Sequence, residues 1–437
     1  MILGGGLSGL STLWHLQKAG YDNSFLFEKE SRVGGMARSE VVAGFTFDYT
    51  GHLLHFSQPE CRQFVSELLG DNLHFLSRES WIFSKGVYTR YPFQTNLHGL
   101  PPKVIEECIS GYVAATQPDS SPPAQLGNPA AYPNFQAWID RTLGAGIARH
   151  FMVPYNEKLW TVPLHELTCE WMGRFVPTTS LEQILGGARG EDRRISGYNA
   201  QFGYPLKGGI EALPRALSRG LKHVQPGYEA VEIDPKDKLV MFSNGGSIQF
   251  EVLVSTLPLP QLIRSIKDAP APVREAAARL RFTSVYNVNL GVRHKPVDKH
   301  WIYVPEPDFI FYRVGFSHNF SPHQAPEGCS SIYAEVAYSP WSPLDKSQAA
   351  VRVKADLIKA GILKQREEIL AECCLDIPCA YVIHDHAYRQ SVDQIREYLR
   401  ALGVWSIGRY GAWEYSGMDE AIWQGRLVAD KILRDPQ

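Results

Sequence analysis

The sequence predicts an α/β protein: a Rossmann-like dinucleotide-binding domain into which a helical domain and an antiparallel β-sheet domain are inserted. Three observations carry this. A glycine cluster separates three apolar residues from a helical pattern in MILGGGLSGLSTLWHLQKAG. Residues 101–193 keep mostly helical apolar spacing. The runs SVYNVNLGV, WIYVP, FIFYRVGF and SSIYAEVAY are rich in β-branched and aromatic residues.

Gly4, Gly6 and Gly9 stand in G-x-G-x-x-G spacing, with Leu7 and Ser8 between them. Glycine lets backbone approach a ligand closely, and a helix N-terminus holds phosphate. The spacing is weak alone, because 37 residues are glycine; its context strengthens it. Leu10, Leu13 and Leu16 repeat at helical spacing, Gly20 can end the helix, and Ser24-Phe25-Leu26-Phe27 reads as the next strand. Glu28 closes that strand with Lys29 beside it, about 20 positions past the glycines, where a carboxylate accepts from a ribose diol. The first strand, Met1 to Leu3, is short, as expected of a chain that starts a few residues into a longer N-terminus.

Composition bounds the rest. A chain of 437 residues exceeds the usual single core, so two or three domains are expected. Lys plus Arg total 44 against 46 acidic residues, so no global field points to nucleic acid or an anionic membrane. With no apolar run of spanning length and no signal-peptide pattern, a cytoplasmic protein is expected. Seven cysteines without zinc-like spacing read as reduced, structural thiols, and no metal is expected. The Cys373-Cys374 pair has nothing nearby to activate a thiolate.

A second glycine pair narrows the ligand. In KESRVGGMARSE, Gly34 and Gly35 are followed by Met36, Ala37 and Arg38, a further backbone approach with a cation, which suits the second half of FAD. These features resemble FAD-binding families that include amine oxidases, protoporphyrinogen oxidases, phytoene desaturases and UDP-galactopyranose mutases. FAD is therefore the expected cofactor. Phe45 to Tyr49 alternates like a strand and leads to Gly51-His52, a loop that in such folds runs near the isoalloxazine ring. Taken alone, His52 reads as a histidine hydrogen-bonded within its loop.

Further along, Cys61 to Leu69 reads as helix, and Trp81-Ile82-Phe83 and Val87-Tyr88 as strand. The segment TQPDSSPPAQLGNPAAYPN breaks the helical region as either a plain solvent loop or a lid. Gly208-Gly209 before a helix, then Leu239 to Phe242 and Glu251 to Thr256, return to the dinucleotide domain. The tail WSIGRYGAWEYSGMDEAIWQGRLVADKIL reads as strand, glycine loop and closing helix. The expected domains are 1–90, 199–282 and 380–437 for FAD, 91–198 helical, and 283–379 antiparallel sheet.

Tyrosine and tryptophan cluster in YPFQTNLHGLP, HFMVPYNEKLWTVP and HWIYVPEPDFIFYR, offering flat faces for a base and polar edges for phosphate or sugar. Arg313 follows Phe311-Tyr312 in an apolar run, and a buried guanidinium needs an anion or carboxylate. Over nearly the whole chain the ordered motifs GHLLHF, YPFQ-x-N, F-M-x-P-Y-N-x-K-x-W-x-V-P, YNA-x-F-x-YP, W-I-Y-x-P-E with FYR, and GRYGAWEY resemble the eukaryotic-type UDP-galactopyranose mutases.

That resemblance implies non-covalent FAD, active when reduced, with NAD(P)H as a candidate reductant. It implies a nucleophilic flavin N5 that attacks the anomeric carbon of a UDP-sugar, interconverting pyranose and furanose. Position by position, Gly51 and His52 match the flavin-facing loop. Tyr91, Gln94, Phe151, Tyr155, Asn156 and Trp160 match the uridine end, and Asn199 a sugar-side position. Tyr303, Arg313, Tyr388 and Tyr415 match the diphosphate grip, and Arg409 a flavin-side arginine. His52, Arg313, Asn199, Tyr388 and Tyr415 form the implied catalytic set. Gly411, Gly417, Met418 and Ala421 complete the cofactor set. Self-association is left open.

Two departures stand out. Phe175 occupies the place of a second diphosphate arginine, with Arg174 one residue away, which in a helix would rotate that side chain by about 100 degrees. Phe320 replaces a tyrosine, removing a donor. A flavin oxidase or desaturase is the alternative reading. A flavin-binding regulatory protein is the third, favoured only by Phe175.

Overall fold

Residues 1–116, 131–191, 200–293, 297–364 and 369–434 are described by the computed structural model, apart from the Arg174 side chain. Five short strands form one parallel sheet in the spatial order Val404–Ser406, Leu253–Ser255, Ile2–Leu3, Leu26–Glu28, Val224–Pro226. The central three are buried at every residue, as a parallel sheet covered on both faces requires. Three distant segments of sequence thus meet in one sheet, with the N-terminal strand at its middle.

The helix Leu7–Lys18 buries Leu10, Leu13 and Leu16 along one face. It packs on the final helix, Met418–Arg434, where a Cβ at Gly425 would lie 2.5 Å from the Ser8 carbonyl oxygen. Leu239–Phe242 is a strand, as read, and pairs with Ala230–Asp234 and Ser247–Gln249 in a small antiparallel sheet separate from the parallel one.

The expected helical region contains Pro102–Ala115, Phe135–Thr142, Gly144–Ile147, Val153–Trp160 and Leu181–Ala188. Pro102 sits in a first turn, where a missing N–H costs nothing, and Ser180 with Gln183 closes a capping box on Leu181–Ala188. A π-helical turn at Ala148–Met152 leads into the fourth helix. Most of the expected loop or lid, residues 117–130, lies outside the described residues.

The large sheet has seven strands, in the order Ile369–Val382, Phe282–Val292, Ser330–Tyr338, Arg313–Phe316, Trp301–Tyr303, Ser80–Ser84, Val87–Arg90. It is mixed rather than purely antiparallel, because Trp301–Tyr303 pairs in parallel with Ser80–Ser84. The hairpin at 80–90, grouped by sequence with the FAD segments, thus hydrogen-bonds into this sheet. The run FIFYRVGF is a strand only from Arg313. A helix at Lys346–Lys359 covers the sheet with Ala349, Val353 and Leu357. No described helix is long and apolar enough to cross a membrane. All seven cysteines are free, and among the described residues no acidic, histidine and cysteine cluster could hold a metal.

Candidate functional site

Where the parallel sheet, the helical region and the seven-stranded sheet meet, they enclose a cavity of about 990 Å³. Its outer arm is built from glycine. Gly4 and Gly35 have φ of 99° and 56°, left-handed backbone that a side chain would strain, and Gly6 is the N-cap of the first helix. Gly4, Gly6, Leu7, Ser8, Gly34, Gly35, Met36, Ala37 and Arg38 line the arm. The N-terminus of the last helix also reaches the wall, through Gly417, Met418 and Ala421. Two helix starts facing one cavity favour negative charge.

Glu28 is 6% exposed and accepts from the Gly5 N–H at 2.6 Å and the Glu30 N–H at 2.9 Å. Its carboxylate is thereby fixed on the wall, with Lys29 next to it. Tyr228, Glu229, Ala230, Thr256, Pro258 and Gln261 extend the arm beyond Glu28. No sequence motif marks these residues, since short strands and proline turns carry no charge pattern. The arm fits a dinucleotide: close backbone, helix starts, a fixed acceptor and a cation lie along one channel.

At the inner end, Gly51 and His52 line the wall. The His52 N–H donates to the Thr50 carbonyl, and Nδ1 lies 3.3 Å from the Thr50 hydroxyl. Burial, then the guanidinium of Arg409, pulls its imidazole down to about 4, so it is neutral at pH 7. The loop hydrogen bonding and the wall position therefore hold together.

Aromatic rings cover the inner wall. Tyr91 and Tyr155 meet Tyr303 at 4.9 and 5.3 Å, Phe151 stacks on Tyr155 at 5.3 Å, and Trp160 lies 5.9 Å from Tyr415. Burial raises the phenols of Tyr91, Tyr155, Tyr333 and Tyr415 above their usual range, so they stay protonated donors. Gln94 donates from Nε2 to the Pro177 carbonyl at 2.9 Å, while its buried Oε1 meets no donor among the described residues. Asn156 lines the wall but spends a side-chain N–H on the Met152 carbonyl at 2.7 Å.

Arg313 finds its partner in Glu335, a fully buried carboxylate that accepts at 2.9 and 2.7 Å. This is a fork-to-fork pair. Arg409 donates to the carbonyls of Ser416 at 2.6 Å and Ala380 at 3.0 Å, and its guanidinium lies 4.9 Å from the Tyr415 ring centre. Among the described residues its hydrogen-bond partners are neutral backbone carbonyls.

Several expected residues lie elsewhere. The Tyr388 hydroxyl donates to the Trp413 carbonyl at 2.7 Å and its ring stacks on His384, so it is not on the cavity wall. Trp413, with φ of 55°, turns that carbonyl toward it. Gly9 and Gly411 serve packing rather than the wall: a Cβ at Gly9 would strike the Gly4 carbonyl, and one at Gly411 would lie 3.1 Å from the Ser255 carbonyl oxygen. Asn199 and the Arg174 side chain lie outside the described residues. Phe175 lines the wall from a 3₁₀ turn, Gly173–Phe175, with its ring edge-on to Tyr415 at 4.6 Å. Phe320 is 1% exposed among Phe202, Tyr204 and His300, in the core and off the wall.

Arg78, Tyr333 and Tyr381 line the cavity without a sequence signal that singled them out. Arg78 lies just past the strand Leu73–Ser77, and its guanidinium is 5.3 Å from the Tyr91 ring centre. Tyr333 belongs to the strand run SSIYAEVAY, whose aromatics read as core, and Tyr381 lies in Ile369–Val382, a strand that the sequence pattern does not mark.

The sequence pattern of a family described as flavin containing amine oxidoreductase matches residues 7–433. Coproporphyrinogen III oxidases of Mycobacterium bovis and Mycobacterium tuberculosis are 23% identical over 313 residues, 64% of this chain and 62% of theirs. The chain thus spans less than two thirds of the length of these curated relatives. A solved structure of reduced UDP-galactopyranose mutase superposes with a TM-score of 0.92 at 28% identity, covering 99% of this chain and 95% of that one. Putrescine oxidase bound to putrescine superposes with a TM-score of 0.67 at 16% identity, covering 99% and 98%, a likeness of fold alone.

Proposed function

The chain belongs to the flavin containing amine oxidoreductase family, and within it we propose a mutase that interconverts pyranose and furanose forms of a UDP-sugar. The observation that carries this reading is the inner wall, where Arg313, Arg409 and the buried phenols of Tyr91, Tyr155, Tyr333 and Tyr415 line one cavity. Cations and neutral donors on aromatic surfaces suit a nucleoside diphosphate.

The outer arm would hold FAD through Gly4, Gly6, Gly34, Gly35, Glu28 and Arg38. Bound and reduced, FAD supplies a nucleophile for the anomeric carbon, with NAD(P)H as the proposed reductant. This chain's residues then have three tasks. Tyr91, Tyr155 and Trp160 offer faces to the base, and the free Gln94 Oε1 accepts from an N–H at its edge. The phenols of Tyr303 and Tyr415 donate to the oxygens of the departing diphosphate, with Arg409 as the cation on the flavin side. Arg313, balanced by Glu335, acts as an oriented donor. Asn199 and Arg174 remain proposed contacts to sugar and diphosphate. Neutral His52 can exchange hydrogen bonds at the inner end without adding charge.

The test is to reduce the purified, FAD-loaded protein with dithionite, add UDP-galactopyranose or UDP-galactofuranose, and separate the ring forms by chromatography. Interconversion only in the reduced state is expected. Peroxide release with an amine or porphyrinogen, and no ring interconversion, would replace the mutase by an oxidase. Tight flavin with no turnover of any nucleotide sugar would favour a binding role.

A further inference from the structure

Lys158 links two elements whose residues line the cavity. It lies on the helix Val153–Trp160, whose Tyr155, Asn156, Leu159 and Trp160 line the cavity. Its ammonium donates to three carbonyls of a single loop: Val304 at 2.9 Å, Glu306 at 3.0 Å and Phe311 at 2.7 Å. An ammonium has three donors and no acceptor, so the set is complete. That loop joins the strands Trp301–Tyr303 and Arg313–Phe316, and the residues at its two ends are Tyr303 and Arg313. Both line the cavity.

The neighbouring carboxylates are engaged elsewhere. Glu306 accepts from the Ser84 hydroxyl and the Lys85 N–H, Asp308 pairs with Lys359, and Asp356 accepts from the Ile310 N–H. The lysine therefore holds loop backbone rather than a side chain. Burial lowers its ammonium to about 7, against the pull of Asp356, Glu306 and Asp308, with Arg352 acting in the same direction as burial. A neutral amine has two N–H groups and a lone pair, so deprotonation leaves one of the three carbonyls facing that lone pair.

We propose that Lys158 is a positioning residue that ties the Tyr303–Arg313 loop to the base-binding helix, and that the nucleotide site is fully assembled only while its ammonium is charged. The ligand in this proposal rests on the UDP-sugar reading; the clamp itself does not.

The experiment uses FAD-loaded protein, UDP as probe by calorimetry at pH 6.5 and 8.5, and amide hydrogen exchange of residues 304–312 at one fixed pH. Loss of one charge-assisted hydrogen bond predicts wild-type UDP affinity about tenfold weaker at pH 8.5 than at 6.5. Lys158→Arg, charged at both pH values, should show no such fall. Lys158→Met should bind weakly at both, with faster exchange in 304–312 and an unchanged flavin spectrum. Lys158→Met with wild-type affinity and exchange would overturn the clamp. If Lys158→Met does not fold, equal wild-type affinity at the two pH values overturns it instead. If wild type binds no UDP at either pH, the UDP-sugar reading fails by itself. Exchange then decides the clamp: faster in Lys158→Met supports it, and unchanged overturns it.

Discussion

Arg313 brings a guanidinium into a wall of aromatic rings only because Glu335 meets it with both carboxylate oxygens. Removing one partner of such a pair leaves the other unbalanced, so Glu335→Gln should cost about 3 kcal/mol of stability. Thermal unfolding would measure the loss, and UDP titration should show weaker binding as Arg313 loses its orientation. Phe175 is the opposite case, an apolar ring edge-on to Tyr415. Phe175→Arg would add a donor at that wall and should tighten UDP binding about tenfold by calorimetry, about 1.4 kcal/mol; unchanged affinity would remove this position from the proposed diphosphate site. The need of Arg313 for a carboxylate is legible in FIFYR, but the identity of that carboxylate is not. Glu335 faces it through the strand register Arg313 to Glu335, and a slip of one residue would turn the side chain to the other face. Tyr388 shows the same limit from the other side. A motif match brings it to the site, whereas one left-handed residue, Trp413, supplies a carbonyl that takes its hydroxyl.

The first and last helices both begin at the cavity wall, and what brings their starts together is the close crossing at Gly425. A Cβ there would lie 2.5 Å from the Ser8 carbonyl oxygen and 2.9 Å from the Thr12 nitrogen, backbone atoms that cannot rotate aside. Gly425→Ala should therefore destabilise by about 2 kcal/mol through overpacking. It should also loosen flavin, read as loss of 450 nm absorbance on gel filtration; retained flavin and an unchanged melting temperature would contradict this account. The helix itself is legible, since Ile422, Val428, Ala429 and Ile432 mark its buried face. Legible too are the first strand, helix and second strand, because glycines, helical leucines and Glu28 agree over one short stretch. Lys346–Lys359 lies inside the stretch read as antiparallel sheet, although Asp345 as N-cap and Ala349, Val353 and Leu357 at i, i+4 and i+8 carry a helical signal. Val224–Pro226 carries none: three residues at a sheet edge leave no period to read, and only the pairing with Leu26–Glu28 makes them a strand. The parallel pairing of Trp301–Tyr303 with Ser80–Ser84 is likewise a contact between distant segments that neither local pattern contains.

Across the whole molecule the formal charge is only −2, so its response to pH depends on buried groups rather than on a general field. Burial pulls the histidines down: His52 and His300 to about 4 and His384 to about 3. In the unfolded chain each would titrate near the ordinary value of 6.5. Below that pH the unfolded state binds protons that the folded state refuses, so stability falls as pH drops from about 6.5 toward 4. Asp48 works in the opposite sense. Burial raises its carboxyl to about 6, despite hydrogen bonds from Ser39, Tyr204 and the Ile210 N–H. Between pH 6 and 3.8 the folded chain keeps a proton there that the unfolded chain releases, which stabilises the fold on acidification. Of these four groups, three refuse a proton and one keeps it, a net loss of about 2 to 3 kcal/mol per pH unit near pH 5; burial also lowers His15 and raises Asp385 and Glu157, shifts that act in opposite senses. Urea unfolding at pH 7, 6 and 5 should therefore give falling midpoints with an unchanged slope in denaturant. Asp48→Asn, which removes the opposing group, should make the fall steeper. Midpoints that stay level from pH 7 to 5 would mean that water or a partner group reaches these imidazoles, and His52 would then be available as a cation at the inner wall.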